Sequence, residues 1–129
     1  LKTLPNIFNN NISMQNQDDS FATHSHKINS SFRKIDFNRN VLEVYNHIRA
    51  FSPEPAAWLL YNNERIKIIQ SSMESCESRP SHILNEYFHI GCKNGKIIPK
   101  IVQREGKKPM PIEEFLKGFN FEINQKINE

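Results

Sequence analysis

The chain has 129 residues, an apolar share of 37%, 24% charged residues and a mean hydropathy of −0.63, enough to fill one small core and no more. No stretch approaches the roughly eighteen apolar residues of a membrane-spanning helix. Two cysteines cannot build a disulfide framework, nothing at the start reads as a signal peptide, and a reducing compartment is the default expectation.

The opening string LKTLPNIF has a helix-like pattern cut by Pro5, and a start at Leu1 reads as a piece of a longer protein. Residues 9–22 are polar and without periodicity, the composition of a linker. Asn40 can cap a helix, with Glu43 in the reciprocal position of a capping box. Val41, Tyr45 and Ile48, with Val44 and Phe51 beside them, recur at helical spacing. Pro53 ends that helix at Phe51 or Ser52, because the residue before proline resists helical angles.

After Pro55 the period changes. AAWLLY and ERIKIIQ read as strands around a tight Asn62-Asn63 turn, with Arg65 and Lys67 alternating against Ile66 and Ile68. ESCESRP is a loop, and SHILNE and YFHIGC read as two further short strands. Lys93-Asn94-Gly95 signals a hairpin, in which a type I′ turn wants positive φ at both central residues. KIIPKIVQ follows as a strand, and Pro99 puts it at an edge or a bulge. Gly106, Pro109 and Pro111 break it. A final helix opens at Pro111, carries Glu113 and Glu114 in its first turn, and shows Phe115, Leu116 and Phe119 on one face up to Gly118. About five short strands framed by two helices predict a small open barrel.

Charge is uneven. Residues 93–108 hold Lys93, Lys96, Lys100, Arg104, Lys107 and Lys108 against Glu105 alone, a local +5 in a chain whose total is +3. Such a stretch attracts polyanions, because phosphates neutralised by cations release condensed counterions. It can equally be a solvated strand and turn. Lys93 and Lys96 bracket a predicted hairpin tip, and Lys107 and Lys108 adjoin Gly106, so both pairs are expected on exposed loops within reach of phosphates. Lys27 and Arg33 extend the set from the linker side, and Arg49 joins it from the first helix.

Other constellations carry less. Cys76, His82, His89 and Cys92 lack zinc-knuckle spacing and read as free thiols and strand histidines. His24 and His26 flank Ser25 without a neighbouring acid to orient a base. Asp36 reads as a turn residue. Trp58 reads as core or barrel rim rather than a base-stacking platform, and Tyr87 and Phe88 point to opposite faces.

Four strings then line up in order: ATHSHKI (22–28), IDF (35–37), IRAFSPEPAAW (48–58) and GKIIPKIVQREGKKPMPIEEFLKG (95–118). With LKTLP and the glutamines at 15 and 17, the chain resembles the C-terminal part of the methionyl-tRNA formyltransferases. The resemblance implies a catalytic-domain tail over residues 1–8, an interdomain linker over 9–28 and a C-terminal domain over 29–129. The implied fold is mainly β with flanking helices, a small open Greek-key barrel similar to an OB-fold. The full-length family moves a formyl group from 10-formyltetrahydrofolate to the amino group of initiator methionyl-tRNA for translation initiation, in the cytoplasm or an organellar matrix. Its C-terminal domain helps hold the tRNA.

Implied partners are therefore that tRNA and the N-terminal catalytic domain, with no membrane and no metal. The catalytic asparagine, histidine and aspartate belong to the catalytic domain, and no His-Pro pair stands here, so this piece alone is expected to be inert and to bind no cofactor. Two other readings share the barrel: the tail of a sugar-nucleotide or other folate-dependent formyltransferase, and a free-standing OB-like interaction module. The sequence also departs from the family pattern. Phe37 stands for a usual tryptophan, Glu54 for an aromatic, Ala56 and Ser81 for glycines, and Asn94 for an acid.

Overall fold

The computed structural model describes Ser20 and residues 29–128. The expected tail and linker, with Lys27 and the His24-Ser25-His26 string, therefore lie outside the described residues. A 3-10 turn, Ser30–Arg33, leads to a parallel bridge between Lys34 and Trp58. Helix α1 spans Val41–Phe51 and buries Val41, Val44 and Ile48. Asn40 caps it as expected, its side chain accepting from the Leu42 amide at 3.0 Å. Glu43 does not complete a capping box. It reaches back to Arg39 at 3.3 Å, because an arginine one turn upstream offers a charge.

Five strands follow: β1 Ala57–Tyr61, β2 Glu64–Glu74, β3 Ile90–Cys92, β4 Gly95–Arg104 and β5 Met110–Pro111, then helix α2, Ile112–Gly118. The sheet order is β1-β2-β4-β3, with β5 also on β4, and every pairing is antiparallel. The sheet curls into an open half-barrel flanked by the two helices, the mainly β, OB-like architecture expected. The ladder between β2 and β4 shifts register around Gln70, next to the Ser71–Pro99 pair, so Pro99 does sit at a bulge.

Alternation decides what each strand buries. Leu59, Ile66, Ile68, Ile97 and Val102 are fully buried and Lys67 takes the other parity on β2, while on β4 the exposed Lys100 falls at the bulge, where the buried parity switches between Ile97 and Val102. Phe88 is fully buried at the centre of an aromatic cluster, with Phe115, Phe119, Phe121 and Tyr61 rings at 5.4, 6.0, 5.1 and 6.4 Å. Each such ring contributes about 1.5–3 kcal/mol by leaving water, and edge-on packing adds to that.

The strand expectations over 81–92 are corrected. Only Ile90–Cys92 forms a strand; His82 and Ile83 make isolated bridges to Lys126 and Ile90, and Phe88 takes φ 59 in the turn between them. The segment lies between β3 on one side and the C-terminal residues on the other: Ser81 N donates to Gly91 O and Gly91 N to His82 O. Ile83 N donates to Gln125 O at 3.0 Å, and Ile127 N to Ser81 O at 2.9 Å. Asn128 finishes the closure: its side chain accepts from Leu60 N at 2.8 Å and donates to Ile35 O at 2.7 Å.

The hairpins also differ from one another. Asn62 and Asn63 have φ 46 and 63, the two positive values of a type I′ turn. In the β3–β4 hairpin the loop residues are Lys93 and Asn94, and of these Asn94 alone has positive φ. Gly95 is thus a strand residue, required for close approach: a Cβ there would lie 2.5 Å from Glu74 O and 2.6 Å from a Val41 methyl. Ala56 and Ser81, where the family pattern has glycine, keep φ values of 62 and 61. A side chain in that left-handed region costs on the order of 1–2 kcal/mol.

Candidate nucleic-acid interface

The basic residues separate into two groups, because β4 is extended and runs 10 residues from one group to the other. At about 3.3 Å per residue its ends stand roughly 30 Å apart. Lys93 and Lys96 sit at the α1 end. The Lys93 backbone is fixed there, its N–H donating to Arg39 O at 3.0 Å and its carbonyl accepting from Val41 N at 2.9 Å, while its side chain is exposed. Lys96 is half-buried and ion-paired with Glu74 at 3.2 Å. His89 lies near Lys96 and Lys100; burial first, and those two charges second, hold its pKa below the usual histidine value.

Lys107 and Lys108 sit at the far end, in the exposed turn after β4. Gly106 there has φ 71, and Gln103 Nε2 donates to Lys107 O at 2.7 Å. Arg104 belongs to the same stretch of sequence but not to the free charge. It forms a two-pronged ion pair with Glu64, at 2.6 and 3.0 Å, with its guanidinium 5.2 Å from the Phe119 ring centre. That hydrogen bonding raises its pKa further.

Arg33 is brought to this second end by the 3-10 turn. Its Nη1 donates to Pro55 O at 2.9 Å and lies 3.4 Å from Ala56 O. Sequence reasoning had not grouped it with Arg65 and Lys67 of β2, yet all three line one cleft of about 270 Å³, together with Gln103, Arg104, Glu105 and Gly106. The signal was available: Arg65 and Lys67 alternate with buried isoleucines and so must share the outer face. What the sequence lacks is the loop that folds Arg33 over them.

Trp58 lies beneath this surface. It is paired with Lys67 across the β1–β2 ladder, and its Nε1–H donates to Ser30 O at 3.0 Å. The Arg65 guanidinium lies 4.3 Å from the ring centre and the Lys34 ammonium 5.9 Å. Trp58 is only 8% exposed, so it supports cations rather than offering a face to a base. Arg49 stands apart on α1, 5.5 Å over the Tyr45 ring. Tyr87 is exposed and Phe88 buried, though a turn rather than a strand's alternation separates them.

The remaining candidates are placed separately. Asp36 accepts from Asn38 N at 3.0 Å in a local turn. Cys92 is buried and desolvation pushes its thiol up to about 12. His82 Nδ1 lies 2.6 Å from Pro80 O. Among the described residues no three histidine, cysteine or acidic side chains group to hold a metal ion, and no helix is long and apolar enough to cross a membrane. His47, beside α1's contact with the 3-10 turn, has its pKa lowered mainly by burial.

Comparison with known proteins agrees with this architecture. The family described as "Formyl transferase, C-terminal domain" matches residues 27–120. A methionyl-tRNA formyltransferase of Cereibacter sphaeroides is 38% identical over 103 residues, covering 80% of this chain and 34% of that protein. The enzyme of the same name from Ehrlichia canis is 37% identical over 93% of the chain and 39% of its own length, and that of Rickettsia bellii 31% identical over 98% and 42%. The chain thus spans between a third and about two fifths of these relatives. Among solved structures, HypX from Aquifex aeolicus in complex with tetrahydrofolic acid superposes with a TM-score of 0.71 at 17% identity, over 91% of this chain and 22% of that one, a likeness of fold. On the family match and the shared barrel, the chain belongs to the formyl transferase C-terminal domain family.

Proposed function

We propose that this domain is the RNA-holding part of a methionyl-tRNA formyltransferase. It would keep initiator methionyl-tRNA against a catalytic domain that transfers the formyl group of 10-formyltetrahydrofolate to the methionyl amine. Residues 1–8 and 9–28 would be that domain's tail and the linker, and the reaction would serve translation initiation in the cytoplasm or an organellar matrix. The observation that carries the reading is the cationic end of the barrel. Arg33, Arg65 and Lys67 share one cleft, Lys107 and Lys108 stand beside it, and none of these has a carboxylate within 4 Å among the described residues. The relatives' name supplies the RNA class.

Fold likeness alone would not choose RNA, since HypX carries the same barrel. Acyl transfer to an amine needs a base and an oxyanion stabiliser, and both roles, with the folate, are assigned to the catalytic domain. Lys107, Lys108 and Arg33 would contact phosphates directly. Lys27, Arg49, Lys93 and Lys96 would extend the contact along other parts of the RNA, with Lys96 first exchanging Glu74 for phosphate. Phosphate contacts position an RNA without reading its sequence.

The test is tRNA binding to the 129-residue chain as a function of salt. The expected outcome is a steep linear fall of log affinity with log salt. Reversal of Lys107 and Lys108 to glutamate should weaken initiator and elongator tRNAs alike. Affinity indifferent to salt would refute the reading.

A further inference from the structure

Resting on that reading, we propose that the cleft lined by Arg33, Arg65, Lys67 and Gln103 is a preformed seat for a single phosphodiester group of the RNA backbone. Three observations carry it. First, both guanidinium groups are held before any ligand arrives. Arg33 is tied to the Pro55 and Ala56 carbonyls through Nη1, and the Arg65 guanidinium sits over the Trp58 ring at 4.3 Å. Trp58 is itself fixed by the bond from Nε1 to Ser30 O. Arginines so fixed give up little side-chain entropy on binding, and their forks match the oxygens of a phosphate.

Second, the Nε atoms of both Arg33 and Arg65 are buried and have no hydrogen-bond acceptor among the described residues. A buried N–H of a charged group without an acceptor costs free energy; an anion in the cleft would not touch these buried atoms but would offset the charge that each guanidinium carries. Third, the balance of charge there favours an anion. Arg33, Arg65 and Lys67 face one carboxylate, the exposed Glu105 at the rim, while Arg104 is neutralised by Glu64 outside the seat. Glu54 lines the adjoining cleft on the far side of Lys67 without pairing with it.

The seat takes a tetrahedral oxyanion, which could come from an RNA backbone or from free phosphate. The experiment separates these sources. NMR of the 129-residue chain follows the Arg Nε–H and Trp58 Nε1–H resonances during titration with inorganic phosphate and, separately, with tRNA. Binding of tRNA is measured against salt for the parent and for Arg33→Gln, Arg65→Gln, Arg65→Lys, Lys67→Gln and Lys93→Gln. Thermal melts confirm that each variant is folded, and Lys67→Gln leaves the stacked Trp58 pair intact if an arginine variant fails to fold.

The expected result is that tRNA shifts those resonances at concentrations where millimolar phosphate barely does. Arg33→Gln, Arg65→Gln and Lys67→Gln should each weaken tRNA binding about tenfold and reduce the salt slope by about one counterion. Arg65→Lys should keep the slope and lose affinity, and Lys93→Gln should change affinity by less than twofold. Steep, salt-dependent tRNA binding that ignores the Arg33, Arg65 and Lys67 substitutions would overturn the seat while leaving the broader reading intact. Phosphate occupancy with no tRNA binding would overturn the RNA assignment and the broader reading together.

Discussion

Gly91→Ala tests whether the short β3 strand is what locks the 78–92 segment onto the barrel. Gly91 N donates to His82 O, and its carbonyl accepts from Ser81 N, each at 2.9 Å. An added Cβ would lie 2.0 Å from Arg79 O and 2.8 Å from Arg79 C, both backbone atoms. Nothing flexible can yield, because Ser78 Oγ anchors the same stretch to the carbonyls of Cys92 and Gly95 at 3.0 and 2.6 Å. Reaching an ordinary carbon–oxygen contact requires a backbone shift of more than about 1 Å. That shift breaks both Gly91 hydrogen bonds, at about 0.5–1.5 kcal/mol each, and adds overpacking of about 1–3 kcal/mol.

The expected loss is therefore about 2–6 kcal/mol, or at least roughly 8 °C in Tm even at the lower end of the 4–8 °C per kcal/mol of a domain this size. Gly118→Ala is the control: nothing lies within 4 Å of its added Cβ at the end of α2, so its Tm should hold or rise slightly. Circular dichroism melts of both variants measure the difference. A Gly91→Ala protein melting within 3 °C of the parent, on the scale just given, would refute the account of the clash.

Phe88→Ala empties the centre of the aromatic cluster and should cost about 3–5 kcal/mol, read from urea unfolding; a loss below about 1 kcal/mol would mean that the cluster repacks freely. Cys92 keeps its proton to about pH 12 in the folded chain, against an ordinary 9.0. Between those values the unfolded chain binds fewer protons, so the stability this thiol contributes is whole below pH 9.0 and declines as pH rises toward 12. Stability curves from pH 8 to 11 should fall more steeply for the parent than for Cys92→Ala, and parallel curves would contradict the burial argument. Glu64→Gln should lose about 1 kcal/mol, as both partners are about a third exposed, yet steepen the salt dependence of tRNA binding by about one counterion, because Arg104 becomes free beside the cleft.

Much of the fold could be read from local signals because those signals have local causes. Pro53 and Asn40 delimit α1 through φ restriction and a single cap bond. Asn62-Asn63 is a tight turn because asparagine tolerates positive φ twice in succession. The misreadings arise where long-range partners override local pattern. SHILNE alternates like a strand, but its hydrogen bonds are shared between Gly91 and His89 on one side and Gln125, Asn124 and Ile127, at the other end of the domain, on the other. No periodicity in the closing segment announces that role. Gly95 reads as a turn glycine until Val41 and Glu74 are seen against it. At Ala56 and Ser81 the left-handed backbone persists without the glycine that resemblance led one to expect, so the surrounding fold fixes the angle, not the residue.

The candidate site shows the same division between sequence density and spatial density of charge. Six basic residues within 93–108 suggest one patch, but an extended strand is the structure that most separates its own ends. Two of the six, Lys96 and Arg104, already face carboxylates that lie far away in sequence, Glu74 and Glu64. An ion pair at the surface contributes little to stability but cancels charge at long range. Arg65 and Lys67 look unremarkable in sequence and Arg33 is read there only as an extension of the lysine-rich set, yet a 3-10 turn and a strand's two-residue period deliver all three to one cleft. What a polyanion senses is charge left unpaired and close together. On the proposed reading, the arginine pair over Pro55 and Trp58 would therefore outweigh the lysine-rich string in setting where a phosphate chain rests, and the exposed Lys107 and Lys108 would extend that hold outward.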